Sequence, residues 1–218
     1  MSDTTASLRR KIGVAGDLQS VVRTMKALAA SSIGQYEQSV RALGDYYRTV
    51  ELGLGVCFRG TGSAALKTGE TRRTDAGTIG AVVFGSDQGL VGQFNDVVAE
   101  EAIQTLKTLS AQAEVWAVGE RVHARLADEG LPLRGLFAVP NSVQAVTPLV
   151  GQILVETETR RSQDHVSELH LFYNRPTSAA AYAPVSQQLL PLDEIWRSAL
   201  AKLPWPSKNL PEVMGGDT

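Results

Sequence analysis

Apolar residues recur along the first fifty-odd positions at steps of three or four: Leu8, Ile12, Ala15, Leu18, Val22, Met25, Ala29, Ile33, Tyr36, Val40, Leu43, Tyr47, Val50 and Leu54. The mean step is about 3.5 residues, the coiled-coil value rather than that of a straight helix, so the stripe predicts a left-handed supercoil with another long helix. At about 1.5 Å per residue the stripe reaches roughly 70 Å, longer than a compact domain of this size is wide, and the helix is expected to protrude. The alternative is two shorter helices broken near Gly34 or Gly44, each glycine costing about 1 kcal/mol. Continuity is preferred, because the stripe keeps phase through both glycines and no proline precedes Pro132. Small residues on or beside the stripe (Ala15, Ala27, Ala29, Ala30, Ser31, Ser32, Gly34) would let a partner approach the first half closely.

The pattern then changes. Residues 58–77, rich in Gly, Thr and charge, have no periodicity and read as a linker. A short apolar run at 78–84 (TIGAVVF) predicts a strand, and helical spacing through Val98, Ile103, Leu106 and Leu109 predicts a helix over 95–109. The alternation continues with a strand at 114–119, a helix over ERVHARLADEG with Gly130 as C-cap, a short strand at 134–139, a helix over 146–162 and a strand at 166–174. Such alternation favours a mainly parallel sheet covered by helices and joined by right-handed crossovers. Residues 181–192 are expected as an antiparallel edge strand, where Pro184 is tolerable. The expected fold class is therefore α/β: a long N-terminal coiled-coil helix over 3–57 plus a mainly parallel, Rossmann-like domain over 78–195. Residues 196–218, with three prolines and two adjacent glycines, read as a connector.

Composition narrows the function classes. With 43% hydrophobic and 20% charged residues over 218 positions, the chain can bury a core. A formal net charge of −2 gives no basic excess, so nucleic acid is not an expected partner. Charge is nonetheless uneven: residues 9–26 carry Arg9, Arg10, Lys11, Arg23 and Lys26 against Asp17, five positive charges against one negative, a local net of +4. That is either a solvated face or a basic collar facing an acidic ring. The start has no continuous apolar core of a signal peptide, and no run approaches the roughly 18 to 20 apolar residues of a transmembrane helix, so membrane contact is expected only through partners. The single cysteine, Cys57, cannot form an intrachain disulfide, which fits a reducing compartment.

Candidate chemistry is sparse. The loop Gly85-Ser86-Asp87-Gln88-Gly89-Leu90-Val91-Gly92-Gln93-Phe94-Asn95 follows the first strand, where doubly wound folds bind phosphates. It lacks a Gly-Lys-Ser/Thr, and glycines at 85, 89 and 92 do not fit G-x-G-x-x-G. The expectation is a glycine-shaped turn in which Asn95 or Asp96 caps the next helix and Asp87 satisfies local backbone donors. His123, His165 and His170 fall on different elements without metal-ligand spacing, and Glu156, Glu158 and Asp164 beside Arg160 and Arg161 read as a charged helix end. No catalytic residue, cofactor or metal is expected.

Three segments, in order, resemble the gamma subunit of F-type ATP synthases. Arg23-Thr24-Met25-Lys26-Ala27-Leu28-Ala29-Ala30-Ser31 resembles the family's N-terminal Lys-Ala-Met-x-Met-Val-Ala-Ala-Ser. Ser86 to Asn95 is similar to Ser-Asp-Arg-Gly-Leu-Cys-Gly-Gly-Phe-Asn. Phe172-Tyr173-Asn174-Arg175, continuing to Leu189-Leu190-Pro191-Leu192, is similar to Tyr-Asn-x-Phe and Leu-Leu-Pro-Leu. Gln88 stands where the family has arginine, Val91 where cysteine is common, Ala27 in place of the second methionine and Ser32 in place of a frequent lysine, so a divergent branch is implied.

By this resemblance the chain is implied to be a non-catalytic rotor shaft. Its partners would be the alpha and beta subunits of the catalytic hexamer, the epsilon subunit and the membrane ion-translocating c-ring, on the cytoplasmic face of a bacterial inner membrane. Subunit contacts are implied at Arg23, Met25, Lys26, Leu28, Ala29, Asp87, Gln88, Tyr173 and Asn174. Family members pair the first helix with a long C-terminal one, which is expected to be missing from this chain, as in a fragment or truncated product. The uncovered stripe leaves on the order of 10 kcal/mol of burial unrealised at roughly 1 to 2 kcal/mol per side chain, so association through the helix, or disorder of its distal half, is expected. Two rival classes are a nucleotide-binding α/β module at Ser86 to Gly92 and a scaffold that self-associates through residues 8–54.

Overall fold

A computed structural model describes residues 4–60, 77–109, 112–163, 166–178 and 181–209. Helix α1 runs unbroken from Thr5 to Gly60. It begins at Thr4, whose Oγ1 accepts from the Ser7 N–H at 3.4 Å, and passes through Gly34 and Gly44 without a break. Its Ser and Thr hydroxyls turn back onto their own helix: Ser20 donates to the Gly16 carbonyl, Thr24 to Ser20 and Thr49 to Asp45. The helix ends three residues beyond the expected position 57, and residues 61–76, most of the expected linker, lie outside the described residues.

Packing divides the chain into one compact unit up to Thr49 and a second from Val50 onward. In the second, β1 (Ile79–Phe84), α2 (Phe94–Leu109), β2 (Ala113–Val118), α3 (Glu120–Asp128), β3 (Leu133–Phe137), α4 (Val146–Ser162), β4 (Glu168–Ser178), β5 (Ala181–Leu190) and α5 (Glu194–Ala201) follow in order. One five-stranded sheet has the order β3-β2-β1-β4-β5. The first four strands are parallel, and β5 pairs antiparallel with β4 at the edge, with Pro184 opposite Asn174. This is the mainly parallel sheet with an antiparallel edge that the alternation predicts.

Strand periodicity sorts the core. Ala81, Val83, Val115, Ala117 and Phe172 face one side and meet Val98, Ala102 and Ile103 of α2 with Val122 and Leu126 of α3. Val82, Trp116, Val118 and Leu169 face the other side and pack with Ile153 of α4. Both faces are covered, so β1 and β2 read as unbroken apolar runs rather than alternating ones. Glu114 interrupts the run. Its side chain is 7% exposed, on the α4 side, and is held by Arg134 of β3 (2.9 Å) and by the guanidinium of Arg160 on α4. Arg160 thus belongs to the sheet rather than to the charged helix end expected for it, while Arg161 does pair locally with Glu158 at 3.0 Å.

No helix is expected at 194–201, yet α5 forms there. Asp193 caps it, its carboxylate accepting from the Ile195 and Trp196 N–H groups, and Leu200 is buried. Against it lies the last stretch of α1. A Cβ on Gly55 would stand 2.4 Å from the Leu200 carbonyl oxygen, so glycine is what permits this approach. Arg59 closes the end of α1, donating to the Gly55 carbonyl (3.2 Å) and the Leu203 carbonyl (3.3 Å), and Arg197 lies over the Phe58 ring.

Candidate functional site: the stripe of helix α1 and the loop after strand β1

The first candidate surface is on α1. Leu8, Ile12, Leu18, Val22, Ile33, Tyr36, Val40, Leu43, Tyr47 and Val50 all stay exposed, Ile12 at 71% and Val40 at 67%. Large apolar side chains left in water along one face of a helix mark an interaction surface rather than a free-standing fold. Of the residues singled out from sequence, Leu28 is 64% exposed, Arg23, Lys26 and Ala29 are exposed, and Met25 is half-buried. Arg23 and Lys26 are three residues apart and share a face beside Met25, which places a positive pair on the rim of the stripe.

The second candidate is the loop between β1 and α2, at the carboxyl ends of the parallel strands. Asp87 is its centre. One carboxylate oxygen accepts from the Glu120 N–H at the start of α3, and the other from the Val139 N–H just past β3, both at 2.9 Å. These donors lie 33 and 52 residues away in sequence, so Asp87 satisfies backbone donors as expected, but distant rather than local ones. Asn95 is also placed differently from expectation. It lies inside the first turn of α2, and its side chain turns back to Ser86, accepting from the backbone N–H and donating to the hydroxyl, both at 2.9 Å.

Two glycines make this junction possible. A Cβ on Gly85 would stand 2.4 Å from the Val122 Cβ and 2.6 Å from the Asn95 Oδ1. Gly119 has φ +112°, and a Cβ there would meet the Ser86 backbone at 2.8 Å. The loops after β1 and β2 are therefore pressed together, with the Arg121 N–H donating to the Ser86 carbonyl at 2.9 Å.

This packing bears on phosphate binding. A doubly wound sheet offers a phosphate the N–H groups of a helix N-terminus beside the point where strand order reverses. Here strand order reverses at β1. The α3 terminus already holds an anion, the Asp87 carboxylate. Between β1 and β4, Asn174 donates to the Phe94 carbonyl at 2.8 Å, and Phe94 stands edge-on to Tyr182 with ring centroids 5.2 Å apart. The chain's own side chains thus take up the α3 N-terminus and part of the β1–β4 crevice, where Asn174 Oδ1 is buried without a partner among the described residues.

The remaining residues separate. Gln88 is exposed at the loop tip, its carbonyl accepting from the Ser86 hydroxyl. Asn174 joins the loop, but Tyr173 points to the opposite face of β4. There its hydroxyl donates to Gln187 at 3.1 Å and accepts from Arg175 at 2.7 Å. His123 and His170 sit on α3 and β4, and His165 lies outside the described residues. His170 is buried and bonded through Nε2 to Glu168 at 3.2 Å.

Comparison with known proteins adds an independent finding. The family model described as ATP synthase matches residues 4–212. The ATP synthase gamma chain of Clavibacter sepedonicus is 28% identical over 194 residues, covering 85% of this chain and 64% of that protein. The gamma chain of Nitrosomonas eutropha is 26% identical over 230 residues, covering 96% of this chain and 74% of its own length. The chain thus spans less than two thirds of the Clavibacter relative. Among solved structures, a chain of the Tetrahymena thermophila mitochondrial ATP synthase central stalk/c-ring shares the fold, with a TM-score of 0.53 at 20% identity over 78% of this chain and 72% of that one.

Proposed function

Because the chain belongs to the ATP synthase gamma-chain family, as a divergent member, we propose that it serves as a rotor-shaft component coupling ion translocation to ATP synthesis or hydrolysis. The observation that carries this reading is the family match over residues 4–212. The exposed stripe of α1 supports it, since a shaft acts through its surface. In this reading α1 stands in the ring of alternating alpha and beta subunits. Arg23 and Lys26 meet acidic loops of beta, while Met25, Leu28 and Ala29 pack against the ring or a second helix. The α/β unit, with Asp87, Gln88, Tyr173 and Asn174, faces the epsilon subunit and the c-ring. No helix among the described residues is long and apolar enough to cross a membrane. Attachment at the cytoplasmic face of a bacterial inner membrane would then run through these partners.

The chemistry of such a part is mechanical. Three identical catalytic subunits adopt different states only if something contacts each differently, and a stiff asymmetric rod biases each site by its differential free energy of contact. The test is assembly. Mixed with purified alpha and beta subunits of a gamma-containing bacterial relative, the chain should co-elute with the hexamer, and Arg23→Glu with Lys26→Glu should weaken that association at least tenfold. Failure to associate where the relative's own gamma chain does would overturn the reading.

A further inference from the structure

Strand β4 outruns the strand beside it. It pairs with β1 only from Glu168 to Phe172, and from Tyr173 to Ser178 it has β5 alone as a neighbour. The two strands therefore continue as a ribbon for roughly 15 to 20 Å beyond their last pairing with β1. A two-stranded ribbon is marginal in water unless a face is covered. One face is, since Asn174 and Tyr182 meet Phe94 there. The other face carries Tyr173 and Arg175 on β4, opposite Val185 and Ala183 on β5. On that side the apolar cluster under α4 takes in Leu171 and Leu189 but stops short of Val185.

We propose that this outer face of the ribbon docks a segment of another protein chain that carries an aspartate or glutamate among small apolar side chains, with Arg175 as the anchor. The inference rests on the reading of the chain as a part that works by contact. It adds the residue that anchors one such contact and the chemistry of what is held.

Charge identifies the occupant. Arg125, Arg134, Arg160 and Arg161 of the same unit each pair with a carboxylate of the chain. Arg175 is exposed and has no carboxylate partner among the described residues. Strand β5 contains no acidic residue, and the only one of β4, Glu168, bonds His170 on the opposite face. Yet the guanidinium is held in place. Its Nη2 donates to the Tyr173 hydroxyl at 2.7 Å, it lies 5.6 Å from the centre of the Tyr173 ring, and that hydroxyl donates onward to Gln187 at 3.1 Å. An arginine ordered in this way has already given up part of its rotamer freedom, and the rest of its planar fork suits the two oxygens of a carboxylate. A single cation set among Tyr173, Ala183 and Val185 is not the basic field that nucleic acid or an anionic membrane requires. Tyrosine and arginine together are instead the composition of a protein–protein anchor point.

The experiment mixes the full chain with purified alpha, beta and epsilon subunits of a gamma-containing bacterial relative and reads association by co-elution and its strength by interferometry. Arg175→Glu should weaken association about tenfold and Arg175→Gln about threefold, with urea unfolding of the α/β unit unchanged in both. Tyr173→Phe should cost about threefold where Arg175 is present and nothing where Arg175→Gln has already removed the guanidinium. In Arg175→Lys, a water-soluble carbodiimide should join the introduced amine to a partner carboxylate as an amide, located by mass spectrometry of the linked peptides. Association indifferent to Arg175→Glu, or a bound Arg175→Lys chain with no amide at position 175, would overturn the docking surface and leave the rotor reading standing. If the unsubstituted chain associates with none of the subunits, the rotor reading fails and the docking surface fails with it.

Discussion

Replacing Glu114 with glutamine keeps the shape of the side chain and removes its charge. The carboxylate accepts from Arg160 Nε at 2.8 Å, from Arg160 Nη2 and from Arg134 Nη2 at 2.9 Å. An amide keeps one acceptor oxygen but turns an NH2 toward a guanidinium N–H, so at least one charge-assisted bond is lost, worth about 1.5–3 kcal/mol. Breaking a fully buried ion pair costs about 3–5 kcal/mol. Here Arg134 is half exposed and Arg160 about a quarter exposed, so water relieves part of the imbalance, and a loss of about 2–3 kcal/mol is expected at pH 7. The pH dependence gives a second signature. The Arg160 fork, with Arg134 beside it, outweighs burial and holds the Glu114 carboxyl below its ordinary range. A depressed carboxylate contributes stability that is full above the unfolded-state value and disappears as pH falls through the folded one. The gap between the wild type and Glu114→Gln, read from urea unfolding at fixed protein concentration, should therefore be constant from neutral pH down to about 5 and close below that. A gap under about 0.5 kcal/mol at pH 7, or one that persists unchanged into strong acid, would refute this account of the triad.

Asp87→Ala strips the acceptors from the Glu120 and Val139 N–H groups and should cost about 2–3 kcal/mol in the same urea assay, with Asp87→Asn, which retains one acceptor oxygen, roughly halfway. Equal stability of Asp87→Ala and wild type would mean that the junction of the three strand ends is held otherwise. Gly55→Ala places a methyl 2.4 Å from a backbone carbonyl that cannot rotate away, so α5 must shift. Amide hydrogen exchange along 195–201 should accelerate severalfold while exchange in β1 and β2 stays unchanged.

How far the sequence carries depends on whether a position speaks through its neighbours or through distant partners. The stripe of α1 and the βα alternation are local periodicities, and the helix and every strand they predict are present. The Asp87 contacts are different, because its sequence neighbours disclose neither Glu120 nor Val139. Arg160 was misplaced for the same reason: beside Glu156 and Glu158 it resembles a surface charge, and only the parallel stacking of β2 and β3 under α4 brings it to Glu114. Helix α5 could have been found. Asp193 as cap, followed by Ile195, Trp196, Ala199 and Leu200, carries a helix signal that the prolines at 204 and 206 obscured.

The two candidate surfaces differ in what they leave unsatisfied. At the sheet's carboxyl edge, Asp87 and Asn95 accept from the protein's own backbone, Asn174 donates to it through Nδ2 while its Oδ1 is buried without a partner among the described residues, and Gly85 and Gly119 bring the loops within contact. On α1 the balance runs the other way. The Ser31 and Ser32 hydroxyls are satisfied internally, yet Ile12, Ile33, Val40 and Tyr47 stay more than half exposed. Open apolar side chains gain free energy by meeting another apolar surface, the property expected of a part that works by contact. Whether that surface meets a subunit ring or a second helix, Ala29 lies on the stripe that would be covered. Ala29→Arg is accordingly the substitution expected to weaken each of them, with the α/β unit's urea unfolding unchanged.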